Sequence, residues 1–439
     1  MSEEKLKAYQ DDLIRSLTRL MRVQSEKGKA EKGKPFGPGP AEALKVFLEE
    51  AEALGLRTGQ SDGYAGWAEI GPEDAPLVGA VCHLDVVPAA GWPEAYEPKA
   101  ENGRITGRGA LDDKGPAAAV LYALKSIADS GETLNARLRL IVGLDEESGS
   151  ACMAHYCEHE ELPEACFTAD ADFPVIQGEK GRWAFDLVWE GENTSEGDWI
   201  LYEADCGTRA NVIPGEATLR FKREDESFTD LETKGRMGHA SMPQKAENAI
   251  QYALEDAYRK RPGDLFLQDF MKVLSIGYDG AGLGIQCADK ESGDLTLNVG
   301  TFKYKDGKAD FSIDIRYPVT RSIEALRSKA EAALSGTGFR IENETVSPPL
   351  YREADDPLVS LLMEAYREVT GRDEEPVSIG GGTYARSLPN TLAFGPIFPE
   401  DENLCHQKGE YITLKTLMTA GEIYRAALLK LARHYGRKS

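Results

Sequence analysis

Apolar residues recur at helical spacing from Glu4 to about Val23 and from Ala41 to about Leu54, predicting two helices at the start of the chain. The pattern then shortens: Gly66–Ile70 and the apolar run from Leu77, closed by His83, predict two strands. Pro116–Ala128 returns to helical spacing, and Leu138–Leu144, apolar except for Arg139, predicts a further strand. A helix from about Ser150 to Cys157 precedes a short strand ending near Asp170. Strands this apolar, alternating with helices, predict a mostly parallel sheet covered on both faces. Ligands of such sheets gather outside the carboxyl ends of the strands, where His83, Asp112, Glu146, Glu147 and Asp170 all fall.

The pattern changes near Gly181. Trp183–Trp189 alternates like an antiparallel strand, and Lys245–Ala257 has helical spacing. Leu295–Tyr304 and Ala309–Tyr317 flank Lys305-Asp-Gly-Lys308, a hairpin signal because Asp-Gly tolerates positive φ. A helix follows from Ile323 to about Leu334. After Pro348-Pro349 come a helix over Asp356–Thr370, the loop Gly380-Gly-Gly-Thr-Tyr384, a strand near Thr391–Phe394 and a long last helix over Leu414–Ala432. The expected fold is therefore α/β: a mostly parallel sheet domain covered by helices, discontinuous over residues 1–181 and 349–439 and interrupted by an inserted α+β domain, residues 182–348. A length of 439 residues fits two domains.

Composition narrows the function. The 41% hydrophobic content is enough for packed cores, and no run is long and apolar enough to span a membrane. Met1-Ser-Glu-Glu-Lys-Leu-Lys opens a charged amphipathic helix rather than a signal peptide. Seven cysteines without C-x-x-C spacing point to reduced thiols, and together these features predict a cytoplasmic protein. A formal net charge of −23 argues against nucleic-acid binding.

The candidate chemistry lies in six histidines and three acidic clusters. His83 is followed by Asp85, so an imidazole can ligate metal while a carboxylate accepts its other N–H. Asp112-Asp113 precedes a helix; the pair could cap that helix, or one of the two could bridge two metals. In Glu146-Glu147 one glutamate can bind metal while its neighbour acts as base, against the simpler reading of a solvated acidic loop. With Asp170-Ala-Asp172 and His406, these residues form a ligand set for two divalent cations, which would lower the pKa of a shared water from about 15.7 toward roughly 7. No Gly-x-Ser-x-Gly elbow is present to suggest a serine alternative.

His83-Leu-Asp85, Gly107-Arg-Gly-Ala-Leu-Asp112-Asp-Lys-Gly115, Asp145-Glu-Glu147-Ser-Gly149, Asp170-Ala-Asp-Phe-Pro174, Gly238-His-Ala240 and His406 resemble, in order and nearly end to end, the signature of the M20 di-zinc metallopeptidases. The strings Gly-Arg-Gly-x-x-Asp-Asp-Lys-Gly-Pro and Gly-Gly-Gly-Thr-Tyr resemble the bacterial dipeptidase V and Xaa-His dipeptidase branch. The resemblance implies that Asp112 bridges two metals, that His83 and Asp170 complete one site, and that Glu147 and His406 complete the other. It further implies Asp85 as the partner of His83, Glu146 as general base and a cis Asp112–Asp113 peptide. The inserted domain would be the family's lid, with His239 stabilising the oxyanion and Asn211, Arg316, Gly381 and Gly382 holding substrate.

The resemblance also bears on the substrate. Aspartate at position 170 is common in relatives acting on free amino termini, whereas deacylases and carboxypeptidases often have glutamate; Asp172 is the alternative ligand in register. The expected activity is hydrolysis of dipeptides with a free amino terminus, using two ions of zinc, or of manganese or cobalt, in a monomer, with a dimer as the alternative. The competing readings are an N-acyl amino acid deacylase of the acetylornithine or succinyl-diaminopimelate type and a non-catalytic peptide binder. A binder has no use for the base Glu146.

Overall fold

The computed structural model describes residues 5–191, 199–274 and 277–436. The described residues divide into two compact units: those within 5–177, 352–377 and 382–436 form the first, and those within 178–351 with 378–381 form the second.

The first unit is built on a mixed sheet. Its strands run in the order Arg57–Ser61, Ala65–Ile70, Arg137–Gly143, Leu77–His83, Ala165–Thr168, Thr391–Ala393. The central pairings are parallel, while the two strands at one edge run antiparallel. Leu77–His83 is buried along its whole length, which explains its unbroken apolar pattern. The helices Lys114–Asp129 and Leu414–Tyr435 pack against each other and against that strand. The first of these is rich in alanine and buried around most of its circumference. Sequence patterning places its start two residues late: the helix begins at Lys114, directly after Asp113, whose side chain makes no capping bond to it. The predicted N-terminal helix resolves into a 3₁₀ turn, Leu6–Tyr9, followed by an α-helix, Gln10–Met21; its expected first residue, Glu4, lies outside the described residues.

The second unit is a seven-stranded antiparallel sheet, ordered Phe228–Lys234, Glu216–Arg223, Trp199–Gly207, Thr296–Lys305, Lys308–Tyr317, Gly181–Glu190, Phe339–Ser347. Asp306 and Gly307 both take positive φ, 50° and 77°, as a two-residue hairpin with the right-handed strand twist requires. The helices Ala249–Lys260, Leu265–Val273 and Ile323–Leu334 belong to this unit, and Phe266, Phe302, Phe311 and Phe339 pack together in its core. The Phe302–Phe311 pair stacks at 4.5 Å, worth about 0.5–1.5 kcal/mol beyond the area it buries. Residues 378–381 go with this unit, and within it Arg316 Nη1 donates to the Gly380 carbonyl at 3.1 Å.

Candidate metal centre

Three neighbouring strands of the first unit bring their carboxyl ends level. His83 stands opposite Gly143, and Val81 stands opposite Thr168. That register carries His83, Glu146 and Asp170 to one edge of the sheet. Gly143 must lack a side chain, since a Cβ there would lie 2.1 Å from Tyr384 Oη. Tyr384 in turn stands edge-on to the His83 ring, with centroids 6.2 Å apart, and bonds Cys152 Sγ at 3.0 Å.

Asp112 enters just before the helix Lys114–Asp129, and its peptide bond to Asp113 is cis. One oxygen of its carboxylate lies 2.9 Å from His83 Nε2, and the other lies 3.0 Å from His406 Nε2. His406 Nε2 is also 3.0 Å from Glu147 Oε1. Asp170 Oδ2 is 3.8 Å from His83 Nε2, whereas Asp172 is exposed in the following short strand. Candidate ligand atoms of His83, Asp112 and Glu147 lie within 4.8 Å of one another, as do those of His83, Glu146 and Asp170. The structure thus brings together all five residues expected as ligands, with Glu146 beside them.

Asp85 departs from expectation in its contacts. His83 Nδ1 lies 2.9 Å from the Asp85 main-chain carbonyl and 3.4 Å from its carboxylate. The carboxylate instead accepts the backbone N–H groups of Glu146 and Glu147, each at 3.1 Å. Asp85 therefore orients the imidazole mainly through its backbone and the paired glutamates through its side chain. Asp113 holds the same strand end from the other side, accepting the His83 N–H at 3.0 Å.

The electrostatics of this edge are those of a cluster short of positive charge. Burial pushes Glu146 up to about 8, and the charges of Glu147, Asp112 and Asp85 add to it against the opposing pull of His83. Asp170 and Glu147 are raised by burial and then by the Asp112 charge. Burial alone would lower both histidines, but the carboxylates bonded to them raise His83 and His406 well above the usual imidazole range. Asp112 is held far below the ordinary carboxylate range, against its own burial, by His406 and His83. Protons on these groups supply charge that divalent cations would otherwise bring. Two imidazoles and three carboxylates, with neighbouring donor atoms 2.9–3.8 Å apart, fit cations bonded at about 2.0–2.1 Å.

The second unit holds all but Gly382 of the residues expected to handle substrate. Val212 pairs with His239, and the Asn211 carbonyl accepts the Ala240 N–H at 3.0 Å. The Ser241 amide lies 3.2 Å from His239 Nδ1. Ser241 Oγ lies closer to the same nitrogen, at 2.7 Å, so Ser241 holds the Nδ1 side of the ring. Arg316 gives Nε to Asp314 Oδ1 at 2.6 Å and Nη2 to Oδ2 at 3.4 Å. Arg182 adds its Nε to Asp314 Oδ2 at 2.6 Å, so one buried carboxylate fixes two guanidinium groups. Gly381 closes the segment assigned to this unit, and Gly382 lies in the first.

Sequence reasoning missed two buried supports here. Asn298 donates to the carbonyls of Ala210 and Val212, at 2.7 and 3.0 Å, and so brackets Asn211. Asn248 donates to Asn298 Oδ1 at 3.1 Å while capping the helix Ala249–Lys260. An asparagine inside the strand pattern Leu295–Tyr304 is the one signal that could have marked Asn298.

Residues 80–430 match the family described as Peptidase family M20/M25/M40. "Putative dipeptidase YtjP" of Bacillus subtilis is 38% identical, over 96% of this chain and 98% of its own length. Among solved structures, aminopeptidase PepT from Bacillus cereus superposes with a TM-score of 0.61 at 16% identity, covering 97% of this chain and 99% of its own. Aminoacylhistidine dipeptidase from Vibrio alginolyticus gives 0.59 at 15%, covering 100% and 99%. At those identities the two structures speak for the fold, while the family match over residues 80–430 and the curated relative over 96% of the chain both span every motif that meets at Asp112. The chain thus belongs to peptidase family M20/M25/M40 and is a metallopeptidase.

Proposed function

We propose that this protein hydrolyses dipeptides with a free amino terminus, using two divalent cations that Asp112 would hold between them. The observation that carries the reading is the position of that carboxylate, with one oxygen on His83 and the other on His406, residues from opposite ends of the chain. His83 and Asp170 would hold one cation, and Glu147 and His406 the other. Zinc is the first choice, and manganese and cobalt also suit a mixed nitrogen and oxygen donor set. Such cations polarise the scissile carbonyl and acidify the attacking water.

The remaining work falls to the chain. Glu146 takes the proton of the attacking water and returns it to the leaving amine. Asp85 holds the backbone of Glu146 and Glu147 so that base and ligand keep separate tasks. His239 donates from Nε2 to the developing oxyanion, and Asn211 lies beside it in the same corner of the second unit. Arg316, oriented by Asp314, binds the substrate carboxylate with the Gly381–Gly382 segment. Asp170, shorter than a glutamate, leaves room for the substrate ammonium group.

The dipeptide reading draws on the B. subtilis relative's name and on the dipeptidase named among the solved structures. All seven cysteines are free, and no helix among the described residues is long and apolar enough to cross a membrane. These features support a cytoplasmic setting, and the size of the second unit supports a monomer. The test is a panel of free and N-acetylated dipeptides given to metal-stripped protein resupplied with zinc or manganese. Metal-dependent cleavage of the free set is expected. Cleavage of the acetylated set alone would make the protein a deacylase, and tight binding without turnover would make it a peptide binder.

A further inference from the structure

We infer that Glu410, which the proposed chemistry does not use, is the positioning residue that holds the bridging aspartate and the distant histidine in one frame. The inference rests on the metal-centre reading above. Glu410 is fully buried, four residues after His406 and at the start of the short strand Tyr411–Thr413. Its carboxylate Oε1 accepts the backbone N–H groups of Leu111 and Asp112, at 2.9 and 3.2 Å. Its Oε2 receives Arg108 Nη1 at 2.6 Å, and its main-chain carbonyl accepts the Gly107 N–H at 2.9 Å. One residue therefore makes four hydrogen bonds to the segment that ends in Asp112.

That segment has little other freedom. Arg108 is itself buried, donates its N–H to the Ala95 carbonyl at 2.8 Å and lies over the Trp92 ring. Gly115, after the bridging aspartate, leaves no room for a side chain, since a Cβ would lie 2.0 Å from the Ala110 carbonyl oxygen. The Arg108–Glu410 pair is buried on both sides, so removing one partner strands the other charge. Through Glu410 the strand after His406 is fastened to the loop before Asp112, and the two ligands are separated by most of the chain. The role is to set the distance between ligands; Glu410 touches neither substrate nor, on this geometry, a cation.

The test compares wild type with Glu410→Gln, Glu410→Ala and Arg108→Met. Zinc affinity is measured by competition with a chromophoric chelator, thermal midpoints of the metal-free proteins are recorded, and kcat and KM are determined at saturating metal. Support of this kind for ligands is commonly worth about 10–100-fold in metal affinity. We expect Glu410→Ala to weaken zinc binding by about that factor and to lower kcat with KM nearly unchanged, and Glu410→Gln, which keeps one acceptor for the two amides, to lose less. Arg108→Met combined with Glu410→Gln should be less harmful than the sum of the two. Variants that lose thermal stability while binding zinc as tightly as wild type would overturn the inference and leave Glu410 a fold residue. Wild type that neither binds zinc nor cleaves dipeptides would instead defeat the metal-centre reading itself.

Discussion

Two sites, one in each unit, bury charge in opposite ways. In the second, Asp314 is completely buried yet shares its two oxygens between Arg182 and Arg316, so the carboxylate is neutralised by its own chain. In the first, Asp112, Glu146, Glu147 and Asp170 crowd against one another with two histidines as their nearest positive groups. Buried carboxylates that raise one another's pKa are costly to fold around. Their presence at the carboxyl edge of a sheet is best explained by a role in holding cations. The comparison teaches that a buried charge finished by its neighbours positions other groups, while one left unfinished marks where something from outside belongs.

The largest effect should come from removing the bridge. Asp112→Asn is expected to abolish both metal binding at stoichiometric zinc and turnover, read by equilibrium dialysis and by dipeptide hydrolysis. Retention of two bound ions would break the contrast between the units. Next in size, Glu146→Ala should lower kcat by about 10²–10⁴-fold, the usual worth of a general base. Its zinc content should match wild type, and a loss of metal instead would mean that Glu146 is a ligand.

In the second unit, Arg316→Met should raise KM for free dipeptides by roughly 10–100-fold, the worth of about 1.5–3 kcal/mol for hydrogen bonds to a charged group. Peptides amidated at the carboxyl end should show no such change. An equal penalty on amidated peptides would make Arg316 a partner of Asp314 and nothing more.

The smallest effect is a pH dependence. In metal-free protein Glu146, Glu147 and Asp170 have folded pKa values above their unfolded ones, so their protonated forms favour the fold and that contribution falls as pH rises. His83 and His406 are raised as well; their stabilising charge is complete below about 6.5 and is lost as pH climbs through their folded values. Asp112 is depressed, so its contribution is constant across neutral pH. The thermal midpoint of metal-free protein should therefore fall from pH 6 to 8.5, and zinc should reverse the trend. A midpoint that rises over this interval would contradict the charge account.

Much of the site can be read from the chain because strand ends are legible there. Leu77–His83 has the predicted limits, since a strand buried on both faces has a continuous apolar run that stops where its ligand begins. The hairpin at Asp306-Gly307 is equally plain. Glu216–Arg223 and Phe228–Lys234 escaped because they lie toward one side of the sheet and carry few apolar residues among polar ones, and Trp199–Gly207, richer in apolar residues, buries only Leu201, Ala204 and Cys206. Phe-Thr-Asp-Leu-Glu-Thr-Lys, at the edge, is mostly exposed and offers no core face to detect. Glu410 and Asn298 escaped for another reason. Most of their partners are backbone groups far away in sequence; a polar residue in an apolar strand can flag Asn298, but nothing local announces the bond that Glu410 makes across 298 residues.

The most direct test is a crystal structure of zinc-loaded protein with anomalous data at the zinc edge. Two peaks are predicted at the carboxyl edge of the first unit's sheet, one beside His83 and Asp170, the other beside Glu147 and His406, with Asp112 contacting both. A single peak, or zinc held away from Asp112, would contradict the account.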